Sequence, residues 1–438
     1  MPSPRRRGRA AAASVLTTAL LCSLWTGGVA AAAPTPPPPG GSLGAAVGDS
    51  VPRTITTSVS AVQRVSVDKA QSGPVPLALY GRSDPTSDGV YRQSLAIMAL
   101  ASTDSQPAPT AIEWLLGQQC ADGGFTAYRA DPAAPCDAAR EDTVATATAI
   151  EALHALRTYD TRVARGVDWL RSKQLADGSF ATVPAPDATG DPAATAAAIS
   201  AIVTAGRSPE LLRSPQGRTP TDALKATQSR CAAPEPDRGA FAARPGGPVD
   251  PTVTARSVLA LGYGTQPAVP APSIAVTPLI CPGAEPGRAL AAQGGAAWLI
   301  AKLKAGGNHF GGPSDFDATV AAVQALSATG HPAEAGAAVD WLASGAKTMA
   351  GSDPVRLASL ILAAEATNRT VTTFGGLDLP KLLQATGPAA TPTPDMTNQS
   401  NLIDGPADHT LRDTLAAVIA VLLAATLILG MRRSRRED

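Results

Sequence analysis

The stretch Ser314–Leu326 (SDFDATVAAVQAL) places an acidic residue, Asp315, four positions before Thr319 and continues in alanine, valine and leucine. The same frame recurs along the chain. Three upstream copies are clear: Asp142–Leu153 (DTVATATAIEAL), Asp191–Ile202 (DPAATAAAISAI) and Asp250–Leu261 (DPTVTARSVLAL). Two copies are weaker, one downstream at Asp353–Ala364 (DPVRLASLILAA) and one further upstream at Asp88–Leu100 (DGVYRQSLAIMAL). Recurrence of one unit at a roughly regular spacing identifies a repeat protein.

Each copy is apolar on nearly every side, which predicts a helix buried on most of its surface, an inner helix. A second, amphipathic segment follows each one and predicts an outer helix. Two of these segments share one pattern, Trp114 to Phe125 (WLLGQQCADGGF) and Trp169 to Phe180 (WLRSKQLADGSF). Later copies are less complete: Leu224 with Gln228 and Phe241, Trp298 with Phe310, Trp341, and Leu382. Such helical hairpins either stack as an open solenoid or close into a double-layered α/α barrel.

The pattern Trp-Leu-x-x-x-Gln-x-x-Asp-Gly-Gly/Ser-Phe resembles the prenyltransferase/squalene oxidase repeat of the terpenoid cyclase and protein prenyltransferase superfamily. The resemblance covers residues 84–386 and implies an all-α fold, the (α/α)6 toroid. The same toroid also occurs without catalysis, in the cobalamin-carrying intrinsic factor and transcobalamin family and in complement thioester domains. The fold therefore does not decide the function.

Both ends of the chain predict a secreted, membrane-anchored protein. Residues 1–33 combine arginines with an apolar, alanine-rich run, as in a secretory signal peptide. Residues 411–431 form an apolar stretch long enough to span a bilayer, and the arginines of the tail, 432–438, place that tail in the cytoplasm. A Pro/Ser/Thr-rich segment (34–83) and a polar stalk (387–410) flank the repeats, which we expect outside the cell.

Charge and cysteine content agree with this location. Without the four arginines of the first nine residues, and without the four arginines, Glu437 and Asp438 of the tail, 28 basic residues remain against 34 acidic ones. The resulting net charge near −6 argues against a nucleic-acid partner. Four cysteines remain after loss of Cys22 with the signal peptide. Cys120 and Cys136 bracket one loop and predict a disulfide, which would leave Cys231 to pair with Cys281. Four cysteines allow three pairings, and spacing alone does not select one.

Two aspartates are the candidate catalytic residues, Asp315 and Asp317. The resemblance implies this, because squalene-hopene-type cyclases carry Asp-x-Asp-Asp-Thr where a carboxylic acid protonates an alkene. Asp317 matches the middle acid, but Ala318 replaces the third. Aromatic residues, which stabilise carbocations, make up only 4% of the chain. The competing interpretation is that the repeated aspartates cap helices, since several precede a proline that fits the first helical position.

A ring of polar side chains at one end of the inner helices is the candidate ligand site. Its members are Asp142, Thr146, Asp191, Thr195, Asp250, Thr254, Asp317 and Thr319. The threonines otherwise serve as small packing residues whose hydroxyls bond to the backbone. We expect no metal, because the histidines His154, His309, His331 and His409 lie in no zinc-binding pattern with a cysteine and are expected on the surface or in loops. Gln118-Gln119-Cys120 also lacks the thioester motif.

The sequence thus favours a non-catalytic binder of a small amphipathic ligand, cobamide-like or isoprenoid-like, with no resident cofactor. A membrane transporter is a possible receiver of that ligand, by analogy with capture proteins. One alternative is a terpene-cyclase-like or prenyltransferase-like enzyme with Asp317 as general acid. The other is a structural or adhesion module of the cell envelope.

Overall fold

The computed structural model describes residues 75–281, 283, 286–312 and 315–388. Their regular secondary structure is helical, with no β-strand among them, so the predicted all-α class is confirmed for this part of the chain. No helix within these ranges is long and apolar enough to cross a membrane. The predicted signal peptide, most of the Pro/Ser/Thr-rich segment, and the stalk, span and tail beyond residue 388 lie outside the described residues.

The described residues form twelve α-helices that alternate between two environments. The odd-numbered helices coincide with the repeated apolar segments: α1 (Gly89–Ala101), α3 (Thr143–Ala155), α5 (Pro192–Thr204), α7 (Pro251–Gly262), α9 (Asp315–Ala328) and α11 (Pro354–Ala366). The even-numbered helices are more variable in length: α2 (Pro109–Gln118), α4 (Asp160–Lys173), α6 (Pro220–Lys225), α8 (Arg288–Ala305), α10 (Pro332–Ala350) and α12 (Leu379–Ala385).

The odd helices contact one another in a closed succession. Each packs against the next, from α1 through α3, α5, α7 and α9 to α11, and α11 packs against α1. Each even helix packs against the odd helix before it in the chain. The two ends of the repeat region meet where α1 and α11 touch, and there Gly81 N donates a hydrogen bond to Thr386 O at 2.9 Å. An odd helix therefore has an odd helix on each side and an even helix behind it, which explains its nearly continuous apolar surface.

Aspartates cap four of the odd helices, which confirms the capping interpretation for those copies. The carboxylates of Asp142, Asp191 and Asp250 each accept a hydrogen bond from a backbone N–H in the first helical turn, at 2.7–2.8 Å. Asp353 does the same at the start of α11. A side-chain oxygen at this position satisfies one of the N–H groups that a helix start leaves without a partner. Asp315 differs, since it is the first residue of α9 and its carboxylate turns toward the preceding loop.

The repeated threonines join each loop to the following helix. The N–H of Phe125, Phe180 and Phe241 donates to the hydroxyl oxygen of Thr146, Thr195 and Thr254, respectively, at 2.9–3.0 Å. Each of these phenylalanine carbonyls accepts in turn from the N–H of the capping aspartate. The phenylalanines are fully buried. The Phe, Asp and Thr of the motif therefore form one buried joint between an even helix and the next odd one.

The Gln and Gly of the motif form a second joint, between neighbouring repeats. Gln119 Nε2 donates to Gly123 O and to Arg162 O at the start of the next even helix. Gln174 and Gln228 repeat this pair of bonds in the following two repeats. Gly123 has φ 108°, and a Cβ there would lie 2.3 Å from Arg165 O. The motif thus specifies the close approach of one repeat to the next.

Both predicted disulfides are present. Cys120 pairs with Cys136 and Cys231 with Cys281, with Cα atoms 5.7 and 5.4 Å apart. The second bridge ties the loop before α7 to the end of the long segment 263–281 that follows it.

Candidate functional site

The odd helices share one face that is less completely buried than the rest of their surface. On α3 this face carries Val144, Thr148 and Glu151 at helical spacing, and the corresponding positions recur on the other odd helices. Residues on the flanks of these helices are almost all fully buried. By register, the polar members of the shared face are Tyr91, Thr148, Glu151, Ser200, Thr252, Arg256, Asp317, Gln324 and Ser359.

Side chains from helices that are not neighbours interact on this face. Tyr91 of α1 interacts electrostatically with Arg256 of α7, Asp317 of α9 and Glu151 of α3. In the succession of contacts, α1 and α7 are separated by two odd helices on either side. Their side chains can therefore meet only across the space that the odd helices surround. We call Tyr91, Glu151, Ser200, Arg256 and Asp317 the interior cluster.

Glu151 is a buried carboxyl group of the interior cluster. It is 6% exposed, and burial raises the pKa of its carboxyl from 4.5 to about 8, although Ser200 and Arg256 act in the opposite direction. Burial penalises the charged carboxylate. Glu151 is therefore mostly protonated at neutral pH and can donate a hydrogen bond. Burial also raises the pKa of Tyr91, so that its hydroxyl stays neutral.

The segment after α7 covers the carboxyl ends of several odd helices. Gln266 N donates to the hydroxyl of Thr204 on α5, and Gln266 Nε2 donates to Gln324 Oε1 on α9, both at 2.9 Å. Gln266 Oε1 is buried with no hydrogen-bond partner among the described residues. Ser200 Oγ is also buried with no hydrogen-bond partner among the described residues, although Ser200 lies near enough to Glu151 to lower the pKa of the Glu151 carboxyl. Buried polar atoms without partners are uncommon in proteins, so these two call for an explanation, such as an ordered water or a ligand.

The sequence-predicted residues fall into two groups. The polar atoms of Asp142, Asp191 and Asp250, and of the threonines that follow them, contact the backbone of their own repeat. Thr146, Thr195, Thr254 and Thr319 are buried. Their part in ligand binding stays a prediction. Asp317 is exposed in the first turn of α9 and belongs to the interior cluster, so the structure brings one of the predicted residues to the shared face.

Asp315 organises the loop before α9. Its Oδ1 accepts from Phe310 N at 2.9 Å and from the Thr319 hydroxyl at 3.1 Å, and its Oδ2 lies 2.7 Å from His309 Nδ1. Partial burial would raise the pKa of Asp315, but the hydrogen bonds from Gly311, His309 and Phe310 outweigh it and lower the pKa. The His309 ring stacks on Trp341 with centroids 4.4 Å apart. An aspartate held in this way positions the loop before α9, and its part in catalysis stays a prediction.

His331 lies in the short connection between α9 and α10, which agrees with the loop position expected for it, but it is not on the surface. It is 2% exposed, and its Nε2 lies 2.9 Å from Gln293 Oε1. A lone histidine gives no sequence signal of such burial.

One group of potential metal ligands is present among the described residues, formed by Cys120, Asp122 and Glu141. The Cys120 sulfur is already bonded to Cys136. Glu141 accepts from Trp169 Nε1 at 2.7 Å and lies 3.5 Å from Lys173 Nζ. Because the thiolate is absent and the buried carboxylate has other partners, we assign no metal to this group.

Sequence reasoning missed most of the interior cluster. Glu151 and Arg256 each stand as a single charge within an otherwise apolar segment, TAIEAL and VTARSV. Lysine, glutamate, arginine and aspartate are rarely buried unless they are paired. An isolated charge in the middle of an inner helix was therefore the signal that could have identified these two residues.

No protein-family model matches the chain, and no curated protein matches it. Among solved structures, the chain is similar to one described as the crystal structure of a protein from Actinoplanes. The identity is 19%, the match covers 58% of this chain and 71% of that chain, and the TM-score is 0.38. At this TM-score we draw neither fold nor function from the likeness. The resemblance to the terpenoid cyclase and prenyltransferase superfamily rests on the sequence motifs.

Proposed function

We propose that the chain is an (α/α)6 toroid that binds a small amphipathic ligand in the space surrounded by its odd helices. The closed succession of odd-helix contacts, with one even helix behind each, supports the toroid. The observation that carries the binding proposal is the interior cluster, to which five odd helices each contribute one polar side chain. A protein that used this space only for packing would fill it with apolar side chains, as the flanks of the same helices do.

The chemistry of the cluster favours a ligand with an acidic head group. The Arg256 guanidinium can hold a phosphate or carboxylate through paired N–H donors. Neutral Glu151 and Tyr91 add two further donors, and neither repels an anion. Cobamides and polyprenyl phosphates both combine a phosphate with a bulky organic body, which matches the two ligand classes that the sequence suggests. Anchoring to the membrane and transfer to a transporter stay predictions from the sequence.

Thermal denaturation of the purified full-length protein tests this function. A ligand at about a hundred times its dissociation constant adds roughly 2.7 kcal/mol to the free energy of unfolding. We expect cobamides or polyprenyl phosphates to raise Tm and Arg256→Gln to abolish the rise. Arg171→Gln, which changes an exposed arginine of α4, is the control and keeps it. No rise with either ligand class would refute the proposal and favour the structural or adhesion role.

One observation favours an enzyme as second candidate. Glu151 carries a proton at neutral pH and shares the interior with Asp317, so the space holds a carboxylic acid able to donate a proton. On this reading Glu151, rather than Asp317, is the general acid. Incubation with linear isoprenoids and analysis of the products by mass spectrometry checks it. Turnover that survives in Glu151→Gln and is lost in Asp317→Asn would restore Asp317 to the role.

A further inference from the structure

A second cavity lies where the two ends of the repeat region meet. It has a volume of about 550 Å³. One wall comes from residues 81–83 and the first turn of α1, and the other from residues 348–356, which comprise the end of α10, the connection to α11 and the first turn of α11. This volume falls within the range of small-ligand pockets in proteins. The cavity is separate from the interior cluster, none of whose members lines it.

The α1 wall carries a buried arginine whose charge is incompletely satisfied. Arg92 is 1% exposed and contacts Ser83 through both terminal nitrogens, but its Nε has no hydrogen-bond partner among the described residues. Its ion pair with Asp88 is long, at 3.6 Å, and Asp88 Oδ1 is itself buried with no hydrogen bond. Charge-assisted hydrogen bonds in proteins are about 2.7–2.9 Å long. Asp88 and Arg92 therefore leave each other partly unsatisfied.

The α11 wall also carries an arginine and an aspartate, but both are exposed. Arg356 Nη1 donates to Met349 O at 2.9 Å, and the guanidinium lies over the Phe316 ring. Arg356 lies 3.9 Å from the free carboxylate oxygen of Asp353, whose other oxygen caps the helix. Asp88 and Asp353 interact electrostatically, so the two walls face each other. The exposed Arg82 adds a third positive charge to the lining. The cavity thus presents guanidinium and carboxylate groups together, from the loosely paired Asp88 and Arg92 on one side and the exposed Asp353 and Arg356 on the other.

We propose that this cavity binds a zwitterion, namely a short peptide with free termini. A simple anion would meet Asp88 and Asp353, and a simple cation would meet the arginines. A molecule with an ammonium at one end and a carboxylate at the other can pair with both kinds of group. Because the ligand touches α1 and α11 together, it also holds the first and last repeats to each other.

The experiment is isothermal titration of the full-length protein with L-alanyl-L-alanine, L-alanyl-L-glutamate and L-alanyl-L-lysine. We expect saturable binding of at least one dipeptide, and loss of that binding when its amino group is acetylated or its carboxyl group is amidated. Arg356→Gln should weaken it roughly tenfold or more, since it removes a charge-assisted contact. Arg82→Gln, at a second exposed arginine of the cavity, should also weaken dipeptide binding.

The matched control is Arg369→Gln, because Arg369 is as exposed as Arg356 and also pairs with an aspartate, Asp340, outside the cavity. It should bind as the unchanged protein does. Arg256→Gln, in the interior cluster, should also leave dipeptide binding unchanged, which separates this site from the proposed function. Absence of binding by every free dipeptide, or equal binding of the acetylated and amidated forms, would overturn the proposal.

Discussion

Replacing Glu151 by glutamine should change how the stability of the protein depends on pH. The folded protein holds the Glu151 pKa near 8, against 4.5 for an exposed glutamate. Below about pH 4.5 the side chain is neutral in both the folded and the unfolded chain. As the pH rises from 4.5 to about 8, the unfolded chain loses this proton but the folded protein keeps it, so the free energy of unfolding falls. Above about 8 the contribution no longer changes.

The size of the effect follows from the pKa difference. At about 1.4 kcal/mol per pKa unit, the rise from 4.5 to about 8 sets an upper limit of about 5 kcal/mol. Water entry and side-chain movement on ionisation reduce this, so we expect a fall of about 2–5 kcal/mol in the unchanged protein relative to Glu151→Gln. The glutamine keeps the size of the side chain but has no proton to lose.

The assay is urea denaturation of both proteins at several values between pH 4 and 9. Glu113→Gln, the same chemical change at an exposed position of α2, is the control and should follow the unchanged protein at every pH. A constant difference between Glu151→Gln and the unchanged protein across this range would refute the reasoning, because it would mean that Glu151 ionises in the folded state as it does in the unfolded chain.

Three further predictions concern the joints of the repeats and the disulfides. Thr254→Val leaves the buried Phe241 N–H without its acceptor and should cost about 1–3 kcal/mol in urea denaturation, whereas Thr158→Val, at an exposed threonine, should be nearly neutral. Gly178→Ala should cost about 3 kcal/mol, because φ is 93° and the new Cβ would lie 2.5 Å from Thr219 O. Gly217→Ala, at φ 75° with open space around it, should cost only about 1 kcal/mol, and equal losses would contradict the steric argument. Alkylation of the unfolded protein without reductant should label none of Cys120, Cys136, Cys231 and Cys281. Replacing both cysteines of the 231–281 pair by alanine should cost about 4 kcal/mol, against about 3 kcal/mol for the 120–136 pair, since the loop that the bridge closes is longer. A larger loss for the 120–136 pair in thermal denaturation would count against this loop-length argument.

Sequence periodicity was sufficient to predict the helices and their alternation. The apolar repeats correspond to the odd helices, because burial on three sides requires an almost continuous apolar surface. The Trp-to-Phe segments contain the even helices, because burial on one side requires only an amphipathic pattern. The capping aspartates could also be predicted, since an Asp-Pro pair before an apolar run is typical of a helix that begins with the aspartate as its cap. Asp315 does not cap its helix, because its carboxylate contacts His309 and Phe310. These two residues lie in a loop whose conformation no sequence pattern predicts.

The threonines show why the candidate site was harder to predict. Their recurrence at one position suggested a common ligand, but the same recurrence is required by the bond from each phenylalanine N–H. A site residue has no need to repeat, and the members of the interior cluster do not: tyrosine, glutamate, serine, arginine and aspartate each occur once in the cluster. The residues that differ between repeats therefore carry the functional information, and a search for periodicity, which looks for residues that recur, overlooks them.

The contact between α1 and α11 has a consequence for the order in which the protein can fold during synthesis. A nascent chain that has emerged only through α9 leaves one side of α1 uncovered, because the helix that packs there has not yet been made. The fold therefore cannot close progressively behind the ribosome as an open stack of repeats can. The apolar flank of α1 stays exposed until α11 (Pro354–Ala366) has been synthesised and packs against it. Until then, this flank is the surface that a chaperone has to protect.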